Sequence, residues 1–181
     1  FVNGVAGTSK TFLSVYCGLK MLNTKGVSDI IYIRSLIESA SKSMGFLPGD
    51  ASSKLDPYLM PLYDKLDEMI PESQKQKLVK EERISGVPIN FLRGANWNAK
   101  FIFNDEAQNL TPHEIKTIVT RAGEGTKIVL TGDCYQIDNP YVDSANSGLT
   151  YAVERFKGQN IAAHVTLTKG ERSELAEQKE R

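Results

Sequence analysis

The chain has 181 residues, 22 basic and 22 acidic, with 40% apolar and 24% charged residues. That length suits one ordinary domain with room for a sizeable core, and that composition excludes a disordered chain. The even charge balance excludes a histone-like binder but not a local basic groove, no apolar run approaches the roughly 20 residues that span a bilayer, and no signal peptide opens the chain.

In chain order, Phe1-Val2-Asn3 reads as the end of a strand that runs into a small-residue turn over Gly4–Ser9. The spacing of Phe12, Leu13, Tyr16, Leu19 and Leu22 predicts a helix over Lys10–Asn23, with Gly26 as its stop. Ile30-Ile31-Tyr32-Ile33 reads as a buried strand ending at Arg34. Residues 35–85 break the alternation and are expected to form a helical and loop insertion. Within them Pro48-Gly49 marks a turn, Asp56 is placed as an N-cap with Pro57 at the first helical position, and Pro61 limits or kinks that helix. Residues 72–83 read as a solvated helix face rather than a binding surface.

The second half alternates cleanly. Phe101-Ile102-Phe103 is a short apolar strand, and Thr111-Pro112-His113-Glu114 is a capping box that starts a helix to about Ala122. Lys127–Thr131 is another strand, Ser147 caps a helix to about Phe156, Val165-Thr166-Leu167 is a last strand, and a polar helix follows from Ser173. Strands alternating with helices argue for one α/β domain over residues 1–181, built on a mainly parallel sheet covered on both faces. The chain opens on Phe1 and reads as a piece of a longer protein. Cys17 and Cys134 lie far apart with no CxxC or Cys/His partner, which argues against zinc and against a disulfide scaffold and fits a reducing cytoplasm.

Three constellations carry chemistry. Gly4-Val5-Ala6-Gly7-Thr8-Ser9-Lys10-Thr11 stands between a strand and a helix. Such a loop wraps backbone N–H groups around phosphates at a helix N-terminus, where the dipole also favours anions. Lys10 is assigned to the β/γ-phosphates and Thr11 to Mg²⁺. Ser9 replaces the second glycine of the GxxxxGK[ST] pattern; because a helix starts at the next residue, it is expected at negative φ. The alternative is a glycine-rich turn that merely caps a helix.

The second constellation is Phe101-Ile102-Phe103-Asn104-Asp105-Glu106. Carboxylates at the end of a buried strand are costly without a partner, and Mg²⁺ at Asp105 is a natural one. Glu106 would then orient and deprotonate a water attacking a γ-phosphate. An acidic strand-to-loop turn is the alternative. The third is Leu130-Thr131-Gly132-Asp133 followed by Gln136, whose amide suits the γ-phosphate or the attacking water, against a plain Gly-Asp turn. Ligands of open α/β sheets collect at the carboxyl ends of strands, and three such ends carry γ-phosphate chemistry here.

With these motifs the chain resembles the PhoH-like family of P-loop ATPases over nearly all its length, and a phage-encoded member is expected. The further matches are Gly45-Phe46-Leu47-Pro48-Gly49-Asp50, Asp56-Pro57-Tyr58 with Pro61-Leu62-Tyr63-Asp64, Arg93-Gly94, Asp105-Glu106-Ala107-Gln108-Asn109, Gly132-Asp133 with Gln136-Ile137-Asp138, and Ser147-Gly148-Leu149. The resemblance implies a RecA-like P-loop core related to helicases, action on RNA or single-stranded nucleic acid, and hexameric rings. It departs at Ser9, where glycine is usual, and at Asn104, where an apolar residue is common. The segment that would precede the first strand and help to hold the base is missing.

By the same resemblance Arg172, after the last strand, is an arginine finger supplied to a neighbouring subunit, with a surface arginine at a helix start as the alternative. Arg34 and Arg93 follow predicted strands and face either nucleic acid or ordinary ion-pair partners. Trp97 and Tyr135 are read as core or loop-packing residues rather than base-stacking ones, and His113 as a first-turn helix residue. The leading function is Mg²⁺-dependent ATP hydrolysis in a helicase-like assembly. A nucleoside or nucleotide phosphotransferase and an ATP-gated scaffold with little turnover are the alternatives.

Overall fold

In the computed structural model, residues 1–34, 51–89, 92 and 94–170 are described, with the backbone alone for residues 51–58. Six strands form one sheet: β1 (Val2–Gly4), β2 (Asp29–Arg34), β3 (Ile84–Gly86), β4 (Lys100–Asp105), β5 (Lys127–Gly132) and β6 (Val165–Leu167). Their order is β3-β2-β4-β5-β1-β6, and every neighbouring pair is parallel. The near-continuous apolar runs of β2 and β4 explain the two covered faces. Ile30, Tyr32, Phe101 and Phe103 enter one core, while Ile31, Ile33 and Ile102 enter the other.

Helices α1 (Lys10–Asn23) and α2 (Ala51–Asp67) cover the first face through Val15, Leu19, Leu22, Leu62 and Leu66. Gly18 lets α1 lie close to the sheet, since a Cβ there would sit 3.0 Å from the Phe101 ring. Helix α3 (Glu72–Lys80) buries no residue, as expected of a solvated face. Helices α4 (Pro112–Val119) and α5 (Gly148–Phe156) cover the second face through Ile115, Ile118, Leu149 and Ala152. Both begin on the expected caps: Thr111 and Glu114 form the reciprocal capping box, and the Ser147 hydroxyl accepts from the Thr150 N–H at 3.2 Å. The expected α/β architecture, a parallel sheet with helices on both faces, is the one present.

Four local expectations are corrected. Helix α2 begins at Ala51, so Asp56 and Pro57 do not start it, and it runs through both Pro57 and Pro61. The complete burial of Leu66 and near-complete burial of Leu62, worth about 1.5–3 kcal/mol each, offset the backbone bonds that the prolines remove. Strand β3 was not foreseen: only Ile84 of its three residues is buried, and an edge strand needs only one apolar face. Helix α4 stops at Val119 because the following turn pairs with Trp97, whose N–H donates to Arg121 O at 2.9 Å and whose O accepts from Gly123 N at 2.6 Å. Tyr135, read as a packing residue, is 89% exposed, whereas Trp97 does join the core. Asn104 is fully buried, and its amide donates to Ile33 O at 2.9 Å. Both cysteines are free thiols. The Pro48-Gly49 turn, the Phe-Leu-Pro-Gly-Asp stretch and the helix from Ser173 lie outside the described residues.

Candidate active site

The glycine-rich loop leaves β1 at Gly4 and enters α1 at Lys10. It is tightly wound. A Cβ on Gly4 would lie 2.7 Å from both Leu167 O and Thr8 Oγ1, and Gly7 has φ 78°. The Thr8 hydroxyl donates to Val5 O at 2.8 Å, and the Lys10 ammonium donates to Gly4 O at 2.6 Å and Val5 O at 2.8 Å. The expected negative φ at Ser9 is overturned: Ser9 is left-handed, with φ 61° and ψ 25°. The reversal of the chain around the loop needs this conformation, which glycine supplies without steric cost and serine does not.

Asp105 ends β4 with only 8% of its surface exposed. Its Oδ2 accepts from the Thr11 hydroxyl at 3.0 Å. Its Oδ1 accepts from the Thr131 hydroxyl at 2.8 Å and from the Glu106 N–H at 3.1 Å. One buried carboxylate thus ties the first turn of α1 to the ends of β4 and β5. Glu106 follows in a left-handed conformation, φ 56°, and faces Arg34 across 3.5 Å. Burial pushes its carboxyl above the ordinary glutamate value, Asp105 and Asp138 add to that, and the Arg34 guanidinium opposes it.

A 3-10 turn over Ala107–Asn109 then braces the third constellation. The Gln108 side chain accepts from Asp133 N at 3.2 Å and donates to Gln136 O at 2.9 Å. Asn109 Oδ1 accepts from Asp138 N at 2.8 Å and Asn139 N at 3.2 Å. Gly132 permits this contact, since a Cβ there would come within 2.5 Å of Gln108 Oε1. The sequence reading did not assign Gln108 and Asn109 to the site; their place directly after the acidic pair was the available signal.

These groups share one cavity of about 430 Å³, which the loop lines from Ala6 to Phe12 together with Asp105, Glu106, Gly132 and Gln136. Gly4 and Val5, expected among the phosphate-binding residues, do not line it; their carbonyls instead accept from the Lys10 ammonium. Lys65 of α2 and Glu68, just past its end, add to the wall, two residues that no motif marks. The charges are uneven: Lys10 and Lys65 stand against Glu68, Asp105, Glu106, Asp133 and Asp138. A polyphosphate entering so acidic a cavity needs added positive charge. The hard oxygen donors of Thr11 and Asp105, already adjacent, fit Mg²⁺. Arg34 stands beside Glu106 and is not one of the cavity's lining residues, while Arg93 and Arg172 lie outside the described residues. His113 occupies the first turn of α4, exposed, as expected. Among the described residues no helix is long and apolar enough to cross a membrane.

The family model described as PhoH-like protein matches residues 1–179. Protein PhoH2 of Bacillus subtilis is 43% identical over 180 residues, which are 96% of this chain and 40% of that protein. A PhoH-like protein of Mycobacterium tuberculosis is 45% identical over 151 residues, 83% of this chain and 42% of that protein. The chain therefore spans less than half the length of either relative. Among solved structures, the Pif1 helicase of Candida albicans overlaps 94% of this chain and 36% of its own, at 16% identity and a TM-score of 0.42.

Proposed function

The chain belongs to the PhoH-like protein family, and from that premise we propose that it binds ATP with Mg²⁺ and hydrolyses the γ-phosphate, as a helicase-related ATPase acting on RNA or single-stranded nucleic acid in a ring of like subunits, a hexamer by resemblance. The observation that carries the reading is the 3.0 Å bond between the Thr11 hydroxyl and Asp105 Oδ2. It joins the phosphate loop to the acidic strand end, two motifs far apart in sequence that serve one chemistry.

In this reading the backbone N–H groups from Ala6 to Thr11 and the Lys10 ammonium hold the phosphates. Thr11 and Asp105 hold Mg²⁺, which when bound offsets phosphate charge. Glu106 takes a proton from the attacking water, and Gln136 orients that water or the γ-phosphate. Gln108 keeps Gln136 in place through its backbone oxygen. Arg172 supplies a positive charge to the neighbouring subunit's γ-phosphate, and Arg34 and Arg93 contact the strand.

The test is release of labelled phosphate from Mg·ATP with and without RNA, alongside Lys10→Ala. An ATPase releases phosphate, and the lysine variant folds but neither binds nor hydrolyses ATP tightly. Label transferred to an acceptor marks a phosphotransferase, and binding without release marks a scaffold; either result displaces the proposal.

A further inference from the structure

Glu106 has two kinds of surroundings, the cavity and an arginine beside it. Glu106 lines the nucleotide cavity, whereas its cationic neighbour Arg34 does not. Arg34 closes β2, and the parallel register sets it beside Asp105, one residue before Glu106. Its Nη2 donates to Glu106 Oε1 at 3.5 Å, and the two side chains retain 29% and 41% of their exposure. So long and open a pair is weak in water and exchangeable with another anion. The backbone of Glu106 is itself in the left-handed region, at φ 56°, so surrounding contacts and not a relaxed main chain decide where its carboxylate points. Among the described residues, the contact from Arg34 draws Glu106 Oε1 toward the end of β2.

We propose that Arg34 is a positioning residue that restrains Glu106 and couples hydrolysis to the strand: a phosphodiester of single-stranded nucleic acid, arriving outside the nucleotide cavity, takes the guanidinium and releases the carboxylate. This rests on the ATPase reading given above. The exchange forms and breaks no covalent bond. It swaps one carboxylate for a phosphate that a guanidinium binds in the same forked geometry, and a partly exposed arginine at a strand end is reachable for it.

The experiment measures phosphate release at saturating Mg·ATP, with and without a uridine oligonucleotide, for the full chain and for Arg34→Ala, Arg34→Lys and Arg34→Ala combined with Glu106→Gln. Titration with a fluorescent ATP analogue reports affinity. The oligonucleotide is expected to accelerate the unsubstituted chain. Arg34→Ala should raise basal kcat about two- to fivefold, the scale of a weak ion pair, with KM unchanged and no further acceleration. Arg34→Lys should keep basal turnover low, and the combined variant should show no rise. Arg34→Gln replaces the alanine variant if that one does not fold. A basal rate in Arg34→Ala that is unchanged or lower overturns the restraint. An unsubstituted chain that hydrolyses ATP but ignores the oligonucleotide overturns the coupling and leaves the ATPase reading standing. A folded chain that does not hydrolyse ATP overturns both.

Discussion

Two residues in the site, Ser9 and Glu106, hold left-handed backbone without being glycine. Each carries a cost of about 1–2 kcal/mol that the surrounding contacts must meet. At Ser9 the cost is not needed for chemistry, because the N–H is present in either residue. Ser9→Gly is therefore expected to raise stability by about 1 kcal/mol, read as a melting-temperature increase of about 2–4 °C. An unchanged melting temperature would show that the loop has relaxed around serine. At Glu106 the proposed role of general base rests on the side chain itself. Glu106→Gln should preserve nucleotide binding and slow hydrolysis by roughly 10²–10⁴-fold, as a lost general base does. Single-turnover phosphate release checks this, and a normal rate would remove Glu106 from the base role.

The elements are held in register by polar contacts at the end of the sheet opposite the site. Asp29 opens β2; it pairs with Lys100 of β4 and lies 3.4 Å from Arg83, just before β3. Arg83 in turn donates to Ser28 O at 2.5 Å. Burial alone would raise the Asp29 carboxyl, but the bonds from Lys100 and Ser28 and the charges of Lys100 and Arg83 hold it below the ordinary aspartate value. A carboxyl lowered on folding stabilises the protein above its unfolded value and loses that contribution as pH falls through the folded one. Asp29→Asn is thus expected to cost up to about 1 kcal/mol at neutral pH, and the difference from the unsubstituted chain should vanish in acid below the usual carboxylate range. Denaturant melts across pH test it: a deficit that persists in acid would assign the loss to packing.

At the scale of the whole molecule, the described residues form one sheet with the cavity at the carboxyl ends of β1, β4 and β5, where open α/β sheets place their ligands. In the function proposed above, Arg172 completes the γ-phosphate site of a neighbouring subunit. Mixing inactive Lys10→Ala with inactive Arg172→Ala subunits should restore part of the activity, because a mixed boundary can unite an intact loop with an intact arginine. Absence of recovery, in assemblies shown to exchange subunits, would place Arg172 in its own subunit's site or in none.

How much was legible in the sequence follows from how far each signal reaches. Helix α1 has the predicted bounds because its period and its preceding turn are both local. The Thr111–Glu114 capping box and the Ser147 cap are contacts within four positions, and they appear as read. The phosphate loop, Asp105, Glu106 and Gln136 were legible because their spacing within each segment reflects chemistry. Pairing across the chain is different. The register of β2 on β4 alone brings Arg34 to Glu106, 72 positions away, and packing of Leu62 and Leu66 alone brings Lys65 and Glu68 to the cavity. The left-handed turn at Ser9 is likewise imposed by closing the loop between β1 and α1, against the local preference of serine. Sequence by itself therefore determined the α/β class and which residues are candidates for chemistry. Tertiary structure decided which of them meet, because long-range pairing and burial energies override propensities worth only about 1 kcal/mol per residue.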